Sequence, residues 1–384
     1  MRIVVTGLLG QFPFGGVVWD YVQYLLGFHA LGHDVYYLED SGSWPYDPLN
    51  KTVSADCSYN VDFLQRMMTG FGLGDRWIYR NAADGIYYGA GEKLARELLK
   101  DADLLLNVST ASWLEDYDVR VKHQMFIDGD PMFNQIGLIG DNNNYSRRLR
   151  AHDSHFTFGL KIGDPDCLVP DTGIVWKKTL QPIALDWWPL QSSIHGGDYT
   201  TVMNWASYQP REWEGKPYGQ KDLEFEKFID LPLHTPQKLV MAMGQGIGSK
   251  RPTQLLREKG WTILEPDEVI PDHHTYRDFL KNSKAEWSVA KHGYVAARTG
   301  WFSCRSACYL ALGRPVLVQD TGWSDHLPNG EGLLPFKTMD DCVKGIARID
   351  KDYAAHQKAA RAFAEKYLDA KIVCHDLLVQ ASLA

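Results

Sequence analysis

Two runs of alternating strand and helix patterns, set on either side of an aperiodic stretch rich in proline, aspartate and tryptophan, constrain this chain more than any other feature. In the first run, residues 3–6 are apolar and end in Gly7-Leu8-Leu9-Gly10-Gln11-Phe12-Pro13-Phe14-Gly15-Gly16. Apolar residues then recur with helical spacing over residues 17–31. Gly32-His33 closes that helix and residues 34–39 read as a second strand, so the unit is βαβ and predicts a parallel sheet. Helical patterns follow at 59–70 and 91–100, and residues 103–108 and 124–128 read as buried parallel strands.

Residues 164–198 show no sustained periodicity and read as a connecting segment. The second run has predicted strands at 200–205, 238–243, 261–264, 286–289 and 315–319. Its predicted helices are 220–229, 251–259, 274–281 and one that runs to residue 312 from the turn at 298–306. Three helical patterns with no strand between them, at 338–348, 351–366 and 371–383, end the chain. The expected architecture is α/β: two Rossmann-like domains facing across a cleft, residues 1–190 and 191–365, with residues 366–384 returning to the first domain. Ligands of open α/β sheets bind beyond the carboxyl ends of the strands, which directs attention to those loops.

The 384 residues carry 40 Lys and Arg against 48 Asp and Glu, a net charge of −8, with no basic stripe to neutralise a phosphate backbone. Nucleic acid is not the expected partner. No leader pattern opens the chain, and no apolar stretch approaches the ~20 residues a bilayer requires, so a cytoplasmic protein without an integral membrane segment is expected. The six cysteines are scattered; only Cys304 and Cys308 are close, and without a second Cys/His pair they read as structural or free thiols. Neither a Gly-x-Ser-x-Gly elbow, nor a Walker A loop, nor a His-Glu-x-x-His helix is present, which removes those hydrolase, NTPase and zincin classes.

Several loops carry candidate chemistry. Gly10, Gln11, Phe12, Gly15 and Gly16 lie where backbone amides open a helix, a place suited to an anion or substrate, or to a tight turn alone. Val5-Thr6-Gly7-Leu8-Leu9-Gly10 loosely matches a dinucleotide fingerprint, but its third glycine is misplaced and no Tyr-x-x-x-Lys pair accompanies it. Ser109, Thr110 and Trp113, after the strand at 103–108, are placed on the acceptor side. In the second half, Arg298, Thr299, Gly300, Phe302, Ser303, Arg305 and Ser306 surround a predicted helix N-terminus, a setting that suits a diphosphate, while Thr321 and Gly322 follow the next strand. Asp128-Gly129-Asp130 at a strand end admits three readings: a general base, a divalent-metal pair, or a turn without chemistry. Asp272-His273-His274 reads as structure or nucleotide contact, and His152-Asp153-Ser154-His155 as a packed, hydrogen-bonded pair.

The segment from Gly293 through Gly313-Arg314-Pro315-Val316 resembles the C-terminal half of GT-B glycosyltransferases, where a Gly/Ser loop, a helix and Gly-x-Pro-Val hold the nucleotide sugar. The resemblance implies sugar transfer from a nucleoside diphosphate sugar to a small-molecule or glycan acceptor, with no metal and no other cofactor. It places Gly244, Gln245, Gly246, Lys250 and Arg251 near the diphosphate or sugar, and residues 264–276 near the nucleobase. Asp128 or Asp130 would take the acceptor proton. The chain departs from the pattern where retaining members carry Glu-x7-Glu, having Gly300 and Cys308 there. A nucleotide-sugar epimerase or hydrolase, or a non-catalytic binder, is the alternative expectation. The oligomeric state stays open.

Overall fold

Residues 1–112, 120–140, 144–192 and 196–384 are described by a computed structural model of the chain. The strand Arg2–Thr6, with four of its five residues buried, lies in the middle of an eight-stranded sheet. Across that sheet the strands run Trp176–Lys178, Ser154–Thr157, Gln124–Asp128, Leu104–Val108, Arg2–Thr6, Asp34–Glu39, Trp77–Arg80 and Tyr87–Gly89. Every pairing is parallel except the last. A second sheet of six parallel strands runs Thr262–Leu264, Leu239–Gly246, Tyr199–Ala206, Ala285–Ser288, Val316–Gln319 and Leu333–Phe336.

Both sheets reverse direction beside their first strand, the doubly-wound order in which chain succession runs outward on one side and then on the other. The central strands are largely buried because helices cover both faces; Leu104–Val108 and Val316–Gln319 are buried at every position. The helix Gly15–Ala30 is buried on most of its circumference, as an apolar helix must be. Gly27 lets the terminal helix Ala370–Gln380 approach it: a Cβ there would sit 2.7 Å from Cys374 Sγ. The chain returns to the first half just before that helix, where Ile183 N–H donates to the Leu368 carbonyl at 2.6 Å and Ala370 N–H to the Ile183 carbonyl at 2.8 Å.

One apolar core runs from the first sheet through the helix Cys304–Ala311 to the terminal helices, and a second lies inside the second half around Trp205, Phe225, Trp261 and Trp287. Trp77, Trp188, Trp287 and Trp323 are fully buried, so much of the tryptophan content is core. Within these two sheets, four strands lack a sequence expectation: Trp77–Arg80, Tyr87–Gly89, Trp176–Lys178 and Leu333–Phe336. The last three are edges or next to an edge, short, and interrupted by Gly, Lys or Pro, where alternation carries little signal. Among the described residues no helix is long and apolar enough to cross a membrane.

Candidate active site between the two sheets

The switch point of the first sheet lies between Arg2–Thr6 and Leu104–Val108, and that of the second between Tyr199–Ala206 and Ala285–Ser288. The loops leaving these four strands meet. Lys291, three residues beyond its strand, reaches Asp130 of the first half at 2.9 Å and the Tyr208 hydroxyl at 2.9 Å. Tyr208 and Tyr294 also donate to the Asp130 carboxylate. Beside this contact a cavity of about 100 Å³ opens, lined from the first half by Trp19, Asp20, Ser109 and Gly129 and from the second by Trp301 and Cys304.

Three cations converge on the second-half wall. Arg305 is buried in the first turn of the helix Cys304–Ala311, where its Nε donates to Glu286 Oε1 at 2.6 Å and its Nη1 to the Val202 carbonyl at 2.6 Å. Lys221, at the start of the helix Lys221–Phe225, is held well below the usual lysine range by desolvation and then by the charges of Arg305 and Lys291. Asp20 projects from the helix Gly15–Ala30, exposed to solvent at the cavity yet crowded by protein. Desolvation raises its pKa to about 6, against the opposing pull of a hydrogen bond from the Cys304 thiol and of the Arg305 charge.

The glycine-rich loop is occupied from within. Glu39, fully buried at the end of the second strand, accepts from the amides of Gly10 and Gln11, both at 2.6 Å, and from the Tyr37 hydroxyl. An anion belonging to the protein therefore takes the amides that the sequence offers to a ligand. Gly15 and Gly16 pack on the helix His273–Lys281; a Cβ at Gly15 would stand 2.2 Å from the Asp272 carbonyl oxygen. Phe12 stacks near Phe14, with ring centroids 6.4 Å apart. Ser109 and Thr110 both have positive φ, 55° and 64°, a strained pair on the cavity side of the first switch point. Trp113 lies outside the described residues.

Asp128 does not face the cleft as a free base. Its Oδ1 accepts from the Asp130 amide at 3.0 Å and from Asn134 at 2.6 Å, and its Oδ2 accepts from Gln135 and Thr157, both at 2.8 Å. The carboxylate is buried and saturated, and it organises the turn that carries Asp130. Asp128→Asn should therefore lower stability by about 2 kcal/mol, because an amide would present donors to donors. Activity per folded molecule should stay near wild type; thermal unfolding read beside specific activity checks this.

No protein-family model and no curated protein sequence matches the chain. Solved structures match it end to end. An alpha-glucosyltransferase in complex with UDP and a 13-mer DNA superposes with a TM-score of 0.60 at 11% identity, covering 100% of this chain and 99% of that one. Anabaena HepE in complex with UDP-glucose gives 0.58 at 10% identity with 100% of both chains covered. Sucrose-phosphate synthase from Thermosynechococcus elongatus gives 0.53 at 10% identity, covering 100% of this chain and 98% of that one. The chain has the GT-B fold.

In this GT-B chain the positions of the Glu-x7-Glu pattern serve packing. Gly300 N–H donates to the Thr321 carbonyl at 2.9 Å, and the buried Cys308 thiol lies 3.8 Å from Gln23 Nε2. Around Gly300 the two halves are stitched together: Lys161 N–H donates to the Thr299 carbonyl at 3.0 Å and Gln181 to the Phe302 carbonyl, while within the second half Thr321 Oγ1 donates to the Trp301 carbonyl at 2.7 Å. Gly322 packs on the Lys161 side chain, and its N–H donates to Asp320 at 2.9 Å. Thr299, Gly300, Phe302 and Gly322 thus lie along the seam between the two halves.

The Arg298 backbone turns through φ 51°, and its guanidinium pairs with Asp166 at 2.8 Å and Asp325 at 3.4 Å, on the exposed side. Of the cationic pair expected at the helix N-terminus, only Arg305 faces inward. Ser303 precedes that helix without a side-chain cap, and the Ser306 hydroxyl is buried without a partner. Gly244, Gln245 and Gly246 continue the strand Leu239–Gly246 beyond its expected end, and a Cβ at Gly244 would stand 2.3 Å from Asn204 Oδ1. Arg251 is engaged with Glu265 at 2.6 Å, whereas Lys250 is exposed. Sequence reasoning missed Asp20, Lys221 and Lys291. Asp20 had a signal: it is the single acidic residue in a sixteen-residue, mostly apolar helix. Among the described residues no group of three or more His, Cys, Asp or Glu side chains could hold a metal ion.

Proposed function

We propose that this protein transfers a sugar from a nucleoside diphosphate sugar to an acceptor hydroxyl, without a metal ion. The observation that carries the reading is the crowding of Lys221, Lys291 and Arg305 at the second switch point, where desolvation and then the charges of Arg305 and Lys291 hold the Lys221 ammonium well below the usual lysine range. A diphosphate entering there would offset that crowding and meet held positive charge as the leaving group gains charge. Glu286 and the Val202 carbonyl hold Arg305 in place, so little reorganisation accompanies that step.

The neighbouring structures in complex with UDP or UDP-glucose support a uridine nucleotide as the first donor to try. The acceptor is read as a small molecule or glycan, reached from the Ser109 and Thr110 side of the cavity. Incubating the protein with UDP-glucose and a panel of hydroxyl acceptors, in EDTA, tests the reading. UDP release that depends on an acceptor, with a glycosylated product, is the expected result. Release without an acceptor would favour a hydrolase, and recovery of an altered sugar nucleotide an epimerase.

A further inference from the structure

We infer that Asp20 is the catalytic base of this cleft, receiving the proton of the acceptor hydroxyl as the sugar is transferred. The inference rests on the transferase reading and adds the residue that completes it. The other nearby carboxylates are engaged. Asp128 accepts four hydrogen bonds, Asp130 is tied to Lys291 and two tyrosines, Glu39 holds the loop amides, and Glu286 holds Arg305. Asp20 lines the cavity between the two halves together with Ser109, Gly129, Trp301 and Cys304, its side-chain partner there is the Cys304 thiol, and the charge of Arg305 acts on it. The carboxyl group borders a space about 100 Å³ in volume, enough for a hydroxyl-bearing group to enter.

The step balances. The acceptor O–H bond breaks and its proton passes to Asp20; the acceptor oxygen bonds to the anomeric carbon; the bond from that carbon to the diphosphate oxygen breaks, and the diphosphate leaves with the electron pair. A base near neutrality suits this work, and crowding by protein brings Asp20 to about 6. The ionisable groups facing it are Tyr21 and Tyr24 from its own helix, Cys304, Arg305 and Cys308 from the helix Cys304–Ala311, and Tyr276 from the helix His273–Lys281. Of these Arg305 is the fixed charge. The thiol bond holds the carboxylate's pKa down, which makes Cys304 a positioning residue.

The experiment compares wild type, Asp20→Asn and Cys304→Ala in UDP-glucose turnover against pH, with UDP binding measured by calorimetry on each. Asp20→Asn should lower kcat by about 10²- to 10⁴-fold with UDP affinity unchanged, and its residual rate should lack the acid limb that wild type shows near pH 6. Because the folded carboxyl titrates above its unfolded value, its charge costs stability as pH rises through 6, so Asp20→Asn should melt higher than wild type at pH 8. Cys304→Ala should move the acid limb of its turnover upward. Full turnover in Asp20→Asn, or an acid limb that Cys304→Ala leaves in place, overturns the inference while the transferase reading stands. Absence of UDP binding and of turnover in wild type overturns both.

Discussion

Lys221→Gln should abolish most turnover, by about 10²- to 10³-fold in kcat, and should weaken binding of the nucleoside diphosphate product. The reason is the position of the ammonium group. It shares the second switch point with Arg305 and Lys291, and no carboxylate there is left to neutralise all three, since Glu286 is engaged with Arg305 and Asp130 with Lys291. The same crowding makes an opposite prediction for the unliganded protein. The lysine titrates lower when folded than when unfolded, so the unfolded chain binds more protons and stability rises with pH. Wild type should therefore gain melting temperature between pH 7 and 10 more than Lys221→Gln does, and the variant should melt higher than wild type at pH 7. A site that is less stable empty and more active when filled is the signature of a preorganised anion cradle. A variant that binds and turns over like wild type would remove Lys221 from the donor site.

Glu39→Ala should be the most destabilising single change at the first switch point, by about 3 to 6 kcal/mol. It strands the amides of Gly10 and Gln11 and the Tyr37 hydroxyl, all of which now end on one buried carboxyl group. Tyr37 in turn accepts from the Leu9 amide at 3.0 Å, so the loop would lose its anchor along three consecutive residues. Glu39→Gln retains one acceptor oxygen and should cost less. Burial pushes the Glu39 carboxyl from 4.5 up to about 7, so its contribution is full below the unfolded value and is lost as pH rises to about 7. The gap in melting temperature between wild type and Glu39→Ala should accordingly narrow from about pH 4.5 to about pH 7 and level off above it. Thermal unfolding from acid to mildly alkaline pH measures it.

These two residues also mark where sequence reading stops. The βαβ start and the buried strands at 124–128 and 104–108 follow from apolar runs whose period is local, and the second half follows in the same way. What occupies the amides of Gly10 and Gln11 is not legible locally: it is Glu39, brought alongside only when the second strand pairs with the first. Arg298 and Arg305 look alike in sequence, yet a left-handed turn at Arg298 sends one outward, while the helix aims the other at Glu286. Lys221 sits in a stretch whose composition matches any exposed helix start, and only the two charges opposite it, from residues far along the chain, give it meaning. Asp20 was legible in principle, as a carboxylate inside an apolar helix that has no other acid.

The central claim is that the cleft between the two sheets is built for a nucleoside diphosphate without metal. The most direct measurement is the thermal shift of wild type and Lys221→Gln against millimolar UDP, dTDP, GDP, ADP, NAD and NADP, each with EDTA and with Mg²⁺, since a ligand that binds only the folded state raises apparent stability. The account predicts a selective rise with one nucleoside diphosphate, equal in EDTA and Mg²⁺, and much reduced in Lys221→Gln. No shift with any diphosphate, a shift with NAD or NADP alone, or one that requires Mg²⁺ would contradict it.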